Sequence, residues 1–116
     1  MAYKIYPPEV LYNTITLPGS KSISNRALIL NALSISNYEV KNLSVSEDTS
    51  VIKEAFASNT NQFDVRGAGT AMRFLTAFLS CVEGEWILKG SERMHERPIH
   101  PLVDTLITIG AQVEYL

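Results

Sequence analysis

The chain has 116 residues, 46% of them hydrophobic, which is enough apolar surface for one modest core and excludes a disordered segment. Its formal charge of −2 excludes a broad basic field for nucleic acid, so any basic site is local and its ligand small. The single cysteine, Cys81, cannot close an internal disulfide, no His/Cys cluster has zinc-ligand spacing, and no run approaches the ~20 apolar residues of a membrane span. Residues 1–9 lack the apolar stretch of a signal peptide, so the expectation is a soluble cytoplasmic protein with no metal or cofactor.

Tyr12 to Leu17 mixes β-branched, aromatic and apolar residues and stops at Pro18-Gly19, the pattern of a short strand entering a turn. A helix follows with Ser20 or Ser22 as N-cap; Ile23, Ala27 and Leu30 recur at i, i+4 and i+7, widened by Leu28 and Leu33. Tyr38 to Leu43 reads as a strand. Ser46, with Glu47 and Asp48 in the first turn, opens a second helix through Val51, Ile52, Ala55 and Phe56 to about Ser58.

After a turn at Asn59-Thr60-Asn61, a strand at Gln62 to Val65 leads into glycines, and Thr70 is placed to cap the next helix. Ala71, Phe74, Leu75, Phe78, Leu79 and Val82 make one apolar face over three turns, and Cys81 falls late in that helix, at a core position. Glu85 to Lys89 is a strand and Gly90 to Arg97 a charged loop. Pro98 then takes the first position of a helix whose face is Ile99, Leu102, Val103, Leu106 and Ile107. Gly110 fits the C′ position, and Ala111 to Leu116 reads as a last strand. Strands and helices alternate in an α/β chain, with parallel and antiparallel pairing both open.

Three predicted helix starts carry cations: Lys21 and Arg26 in Leu17-Pro18-Gly19-Ser20-Lys21-Ser22-Ile23-Ser24-Asn25-Arg26, Arg73 in Arg66-Gly67-Ala68-Gly69-Thr70-Ala71-Met72-Arg73, and Arg97 in Arg93-Met94-His95-Glu96-Arg97-Pro98. A cation at a helix N-terminus opposes the macrodipole by about 0.3–1 kcal/mol, so the repetition points to anionic groups supplied from outside the chain. Ser22 and Arg26 share a helix face, and Lys21 offers three donors. Arg97 stands directly before its helix, where a planar fork can hold a carboxylate or phosphate bidentately. The bland reading of these segments is capped helices with solvated cations, and for Arg93 and Arg97 a turn salt-bridged to Glu92 and Glu96. His95 and His100 read as surface residues, Glu47 and Asp48 as first-turn charges, and Phe74, Phe78 and Trp86 as core. No carboxylate pair is placed for general acid/base work.

Taken together, these three segments resemble three motifs, in the same order, of the 5-enolpyruvylshikimate-3-phosphate synthase family, over about Thr14 to Leu116. The resemblance implies transfer of the enolpyruvyl group of phosphoenolpyruvate to the 5-hydroxyl of shikimate 3-phosphate, with release of phosphate and without a metal. By motif position Lys21 would lie between the two substrates, Ser22 and Arg26 on the shikimate phosphate, and Gly69 and Arg97 at phosphoenolpyruvate, with Thr70 and Arg73 in support. It further implies a fold of repeated strand–helix units with helices packed inside. Residues 1–16 would belong to strands of another domain, and residues 17–116 would begin a second domain of a longer, monomeric enzyme. The family's acid/base residues come from later in that longer chain, so these residues alone are not expected to turn over.

The pattern's Gly-Asn-Ala-Gly-Thr becomes Arg66-Gly67-Ala68-Gly69-Thr70, with loss of an asparagine amide, and Phe74 replaces the proline after Met72-Arg73. The stretch between Ser58 and Val65 is short for the family. The related UDP-N-acetylglucosamine enolpyruvyl transferase has Lys-Asn where this chain has Lys21-Ser22 and commonly uses a loop cysteine, whereas Cys81 falls in a helix pattern. A non-catalytic anion-binding or RNA-binding module is the other alternative, and the negative net charge opposes RNA.

Overall fold

The computed structural model describes residues 1–34 and 38–116. Its elements are α1 (Lys21–Leu33), α2 (Glu47–Ala57), β1 (Gln62–Asp64), α3 (Gly69–Leu79), β2 (Ile87–Lys89), a short α4 (Glu92–His95) and α5 (His100–Thr108). Local signals explain most of these boundaries. Ser20 Oγ accepts the Ile23 N–H at the start of α1, and Ser46 Oγ accepts the Thr49 N–H at the start of α2. At the end of α5, Gly110 (φ 104°) donates its N–H to Ile107 and Ala111 donates to Leu106, the paired bonds expected of a glycine at C′.

β1 and β2 pair in parallel, with Gln62 opposite Ile87, Phe63 opposite Leu88 and Asp64 opposite Lys89. Parallel neighbours need a crossover, and α3 supplies it. The core gathers around α3, where Ala71 and Leu75 are fully buried, with Val51, Ile52 and Ala55 of α2, Leu28 of α1, and Phe63 and Val65 of the β1 segment. Phe56 meets Phe78 edge-on at 5.1 Å and Phe63 stacks on Trp86 at 6.0 Å, so the half-buried aromatic residues frame the core as expected. Val103 and Leu106 bury one side of α5.

Several expectations give way. Tyr12–Leu17, Tyr38–Leu43 and Ala111–Leu116 join no sheet: a strand is stable only when a neighbour takes its N–H and C=O groups, and none of these segments meets one. Pro98 is not the first residue of a helix. Its loop contains α4, and α5 begins at His100 with Pro101 in its first turn. Cys81 is exposed in the turn after α3 rather than buried within it.

The largest departure is the orientation of α1. Most of its predicted apolar face is outside, with Ile23, Leu30 and Leu33 at 71, 66 and 60% exposure, while Leu28 of that face is buried beside Ser24 and Asn25. Hydrogen bonds decide this orientation: Ser24 Oγ accepts the Ser44 N–H at 2.8 Å, and Asn25 Oδ1 accepts from Thr49 Oγ1 at 2.7 Å. Residues 1–17 also leave large apolar side chains open, among them Tyr3, Ile5, Leu11 and Tyr12. The Cα radius of gyration is accordingly 17.9 Å, against about 13 Å for a compact chain of this length.

Urea unfolding checks the reversed face of α1: Leu75→Ala should cost about 2–5 kcal/mol as a cavity in the core, whereas Leu30→Ala should stay within about 0.5 kcal/mol. A large loss at Leu30 would mean that the apolar stripe is buried after all.

Candidate functional site

The first junction survives as a helix start. A Cβ at Gly19 would collide with the Asn42 carbonyl, so glycine lets the turn into α1 pass against residues 42–44 and deliver Lys21 to the first turn. Lys21 Nζ donates to Asp48 Oδ2 at 3.2 Å across the α1–α2 interface. Ser22 and Arg26 lie on one exposed face, as their spacing requires, and Arg26 Nη1 donates to the Ser22 carbonyl at 3.0 Å. The Arg26 guanidinium also lies 5.7 Å from the ring centre of Phe74, so an aromatic side chain of α3 braces this cation.

At the second junction the start of α3 has no side-chain cap of its own. The N-cap is Ala68, and Thr70, predicted to cap, is already inside the helix. Asp48 fills that role from a neighbouring helix: its Oδ1 accepts the N–H groups of Thr70 at 2.9 Å and Ala71 at 3.1 Å. Burial raises the Asp48 pKa, but the hydrogen bonds from Ala71 and Thr70 together with the Lys21 ammonium outweigh it, and the net shift is below 3.8. Part of the negative charge at this helix start therefore comes from within the chain. Asp48 is more than a first-turn charge, and the one legible sign was that Gly67-Ala68-Gly69 offers α3 no capping side chain.

Gly69 opens α3 under two guanidinium groups. A Cβ there would overlap Arg97 Nη1 and lie 3.5 Å from Arg73 Nη1, so only glycine admits Arg97 so close to the backbone. Arg73 Nη1 donates to the Gly69 carbonyl at 3.2 Å and its Nη2 to the Pro98 carbonyl at 2.8 Å, which ties the start of α3 to the loop that carries Arg97. That loop does not begin a helix at Arg97. It follows α4, whose last turn holds Arg93 and His95 and so matches its dipole, and Ile99 separates Pro98 from α5. Arg97 is placed by Gly69 and Arg73 rather than by a helix N-terminus.

The structure thus links Lys21, Gly69, Thr70, Arg73 and Arg97 through Asp48 and the first turn of α3, with Ser22 and Arg26 on the adjoining face of α1. Among the described residues only two ion pairs form, Lys21–Asp48 and the exposed Arg66–Glu54. Arg26, Arg73 and Arg97 meet no carboxylate. The described residues include no His/Cys/Asp/Glu group that could hold a metal ion, and no helix long and apolar enough to cross a membrane.

The family model for EPSP synthase (3-phosphoshikimate 1-carboxyvinyltransferase) matches residues 5–60 and 50–116. A protein of Bacteroides fragilis named 3-phosphoshikimate 1-carboxyvinyltransferase is 47% identical over 116 residues, all of this chain and 28% of that protein. Proteins of the same name from Neisseria meningitidis and Ralstonia pickettii are 42% identical over 128 residues and 41% over 133, covering 90% and 94% of this chain and 30% and 31% of their own. The chain therefore spans less than a third of the length of these relatives. No solved structure matches it.

Because the folded pKa of Asp48 is depressed, its contribution to stability is present above 3.8 and is lost as pH falls through the folded value. Asp48→Asn should be less stable than the parent by about 1–3 kcal/mol at pH 7, with the difference shrinking in that acid range. Denaturation from pH 7 to 2 tests this; a constant difference across the range would remove the ionised Asp48 link from the account.

Proposed function

The chain belongs to the EPSP synthase (3-phosphoshikimate 1-carboxyvinyltransferase) family, and from this premise we propose that its cluster of cations forms part of a cradle for shikimate 3-phosphate and phosphoenolpyruvate. One observation carries the proposal: Arg73 and Arg97 crowd the same glycine with no carboxylate between them. Two like charges held that close favour an anion that bridges or neutralises them. Phosphoenolpyruvate brings both a carboxylate and a phosphate, and the Arg97 fork suits either bidentately.

In this reading Ser22 and Arg26 take the phosphate of shikimate 3-phosphate, using the exposed hydroxyl, the guanidinium and the free N–H groups of the first turn of α1. Lys21 stands between the two substrates, its ammonium held by Asp48 with 48% of the side chain still exposed. Gly69 and Arg97 receive phosphoenolpyruvate, Arg73 fixes the loop, and Thr70 holds the start of α3 through its N–H. The reaction joins the 5-hydroxyl oxygen to the enolpyruvyl carbon and expels phosphate, so both substrates and the leaving group are anions that these cations can stabilise. Residues 1–16 would pair with strands of another domain and residues 17–116 would begin the second. That assignment accounts for an N-terminal segment whose large apolar side chains stay exposed. The turn position of Cys81 removes one argument against the UDP-N-acetylglucosamine relative, but Lys21-Ser22 and the names of the similar proteins favour the shikimate enzyme.

An NMR titration of the chain with shikimate 3-phosphate at moderate salt should give saturable shifts at residues 20–26 that disappear in Lys21→Ala and in Arg26→Ala. A folded chain that shows no such shifts would defeat the claim that this half of the cradle is preformed.

A further inference from the structure

We infer that Asn25 is a positioning residue for Lys21: its buried carboxamide, gripped by Thr49, sets how the first turn of α2 sits on α1 and hence how Asp48 holds the lysine. The inference rests on the anion-binding role of Lys21 proposed above. Asn25 follows Lys21 by one turn of α1, and Thr49 follows Asp48 in α2. The two helices therefore meet through two successive rungs, Lys21 Nζ to Asp48 Oδ2 at 3.2 Å and Thr49 Oγ1 to Asn25 Oδ1 at 2.7 Å. The first rung is half open to solvent on the lysine side, whereas Asn25 and Thr49 are both fully buried. The inner rung is the one that water does not loosen.

With the Asn25 oxygen toward Thr49, the single Thr49 hydroxyl proton is used on Asn25, which leaves Ser46 as the donor in its 3.0 Å contact with Thr49 Oγ1. The α2 cap is thereby connected to α1 as Ser46 to Thr49 to Asn25, and Ser24 beside Asn25 adds a tie to the Ser44 N–H. The geometry carries a cost, because Asn25 Nδ2 is buried without a partner. Turning the carboxamide over would orphan the oxygen instead. A small apolar side chain there would leave no orphaned group, so the amide is unfavourable as mere core filling. Its contribution is geometric: it fixes the register of α1 against α2, which an apolar contact would allow to slide.

The test uses Asn25→Leu and Thr49→Val, which break the inner rung from opposite sides, with Thr49→Ser as the variant that keeps the hydroxyl. Two quantities are read by NMR, the titration midpoint of the Asp48 carboxylate and the affinity for shikimate 3-phosphate. Asn25→Leu and Thr49→Val should each move the midpoint up toward 3.8 and weaken binding by roughly three- to tenfold, and combining them should add little because they remove one link. Thr49→Ser should restore both. Folded variants with the parental midpoint and affinity would show that Asn25 is ordinary core and overturn the inference. If the parent chain fails to bind shikimate 3-phosphate while the midpoint still moves in both variants, the positioning by Asn25 stands and the ligand reading fails.

Discussion

The Asp48 carboxylate is the constraint on which the site depends. One oxygen holds the Lys21 ammonium of α1 and the other accepts two N–H groups of α3, so a single side chain of α2 fixes the relative placement of three helix starts. Each helix alone would leave these groups to water. Their convergence requires a buried acid that stays ionised, which the surrounding donors ensure against the cost of burial. From this point the rest follows outward: Gly69 begins α3 beside it, Arg73 reaches back from the next turn of α3, and Arg97 closes over the glycine.

The cations at the three predicted helix starts meet three different surroundings. At α1 the first turn carries Lys21 and its outer face is open. At α3 the available N–H groups belong to Asp48, and the cations that remain without a carboxylate are those of Arg73 and Arg97. The third junction is the C-terminal end of α4, where Arg93 and His95 are electrostatically at home. Arg73 and Arg97 do gather at the start of α3, but what admits Arg97 there is steric, the absence of a Cβ at Gly69.

The turning of α1 shows how specific polar contacts can override an apolar stripe. Burying Ile23, Leu30 and Leu33 would be favourable per unit area, yet these side chains stay exposed, while the opposite side meets Ser44 and Thr49 with good hydrogen bonds. A want of partners accounts for the exposed apolar side chains of residues 1–17 and for the missing strands at Tyr12–Leu17, Tyr38–Leu43 and Ala111–Leu116. A chain that spans less than a third of the length of its relatives has few surfaces on which to bury them.

The sequence by itself determined what local chemistry and period can carry. The starts of α1 and α2, the apolar face of α3 and the glycine end of α5 were all legible, because caps, glycines and helical spacing act within a few residues, and the segments that carry Lys21, Ser22, Arg26, Gly69 and Arg97 stand out as motifs for the same reason. Family membership was legible too, since the three motifs lie in order in the primary structure. Only the tertiary structure decided the parallel pairing of β1 and β2, the outward turn of the α1 stripe, the exposure of Cys81, and the roles of Asp48 and Asn25. Each of these depends on contacts between residues 20 to 27 positions apart, or on exposure, and neither leaves a mark in local pattern.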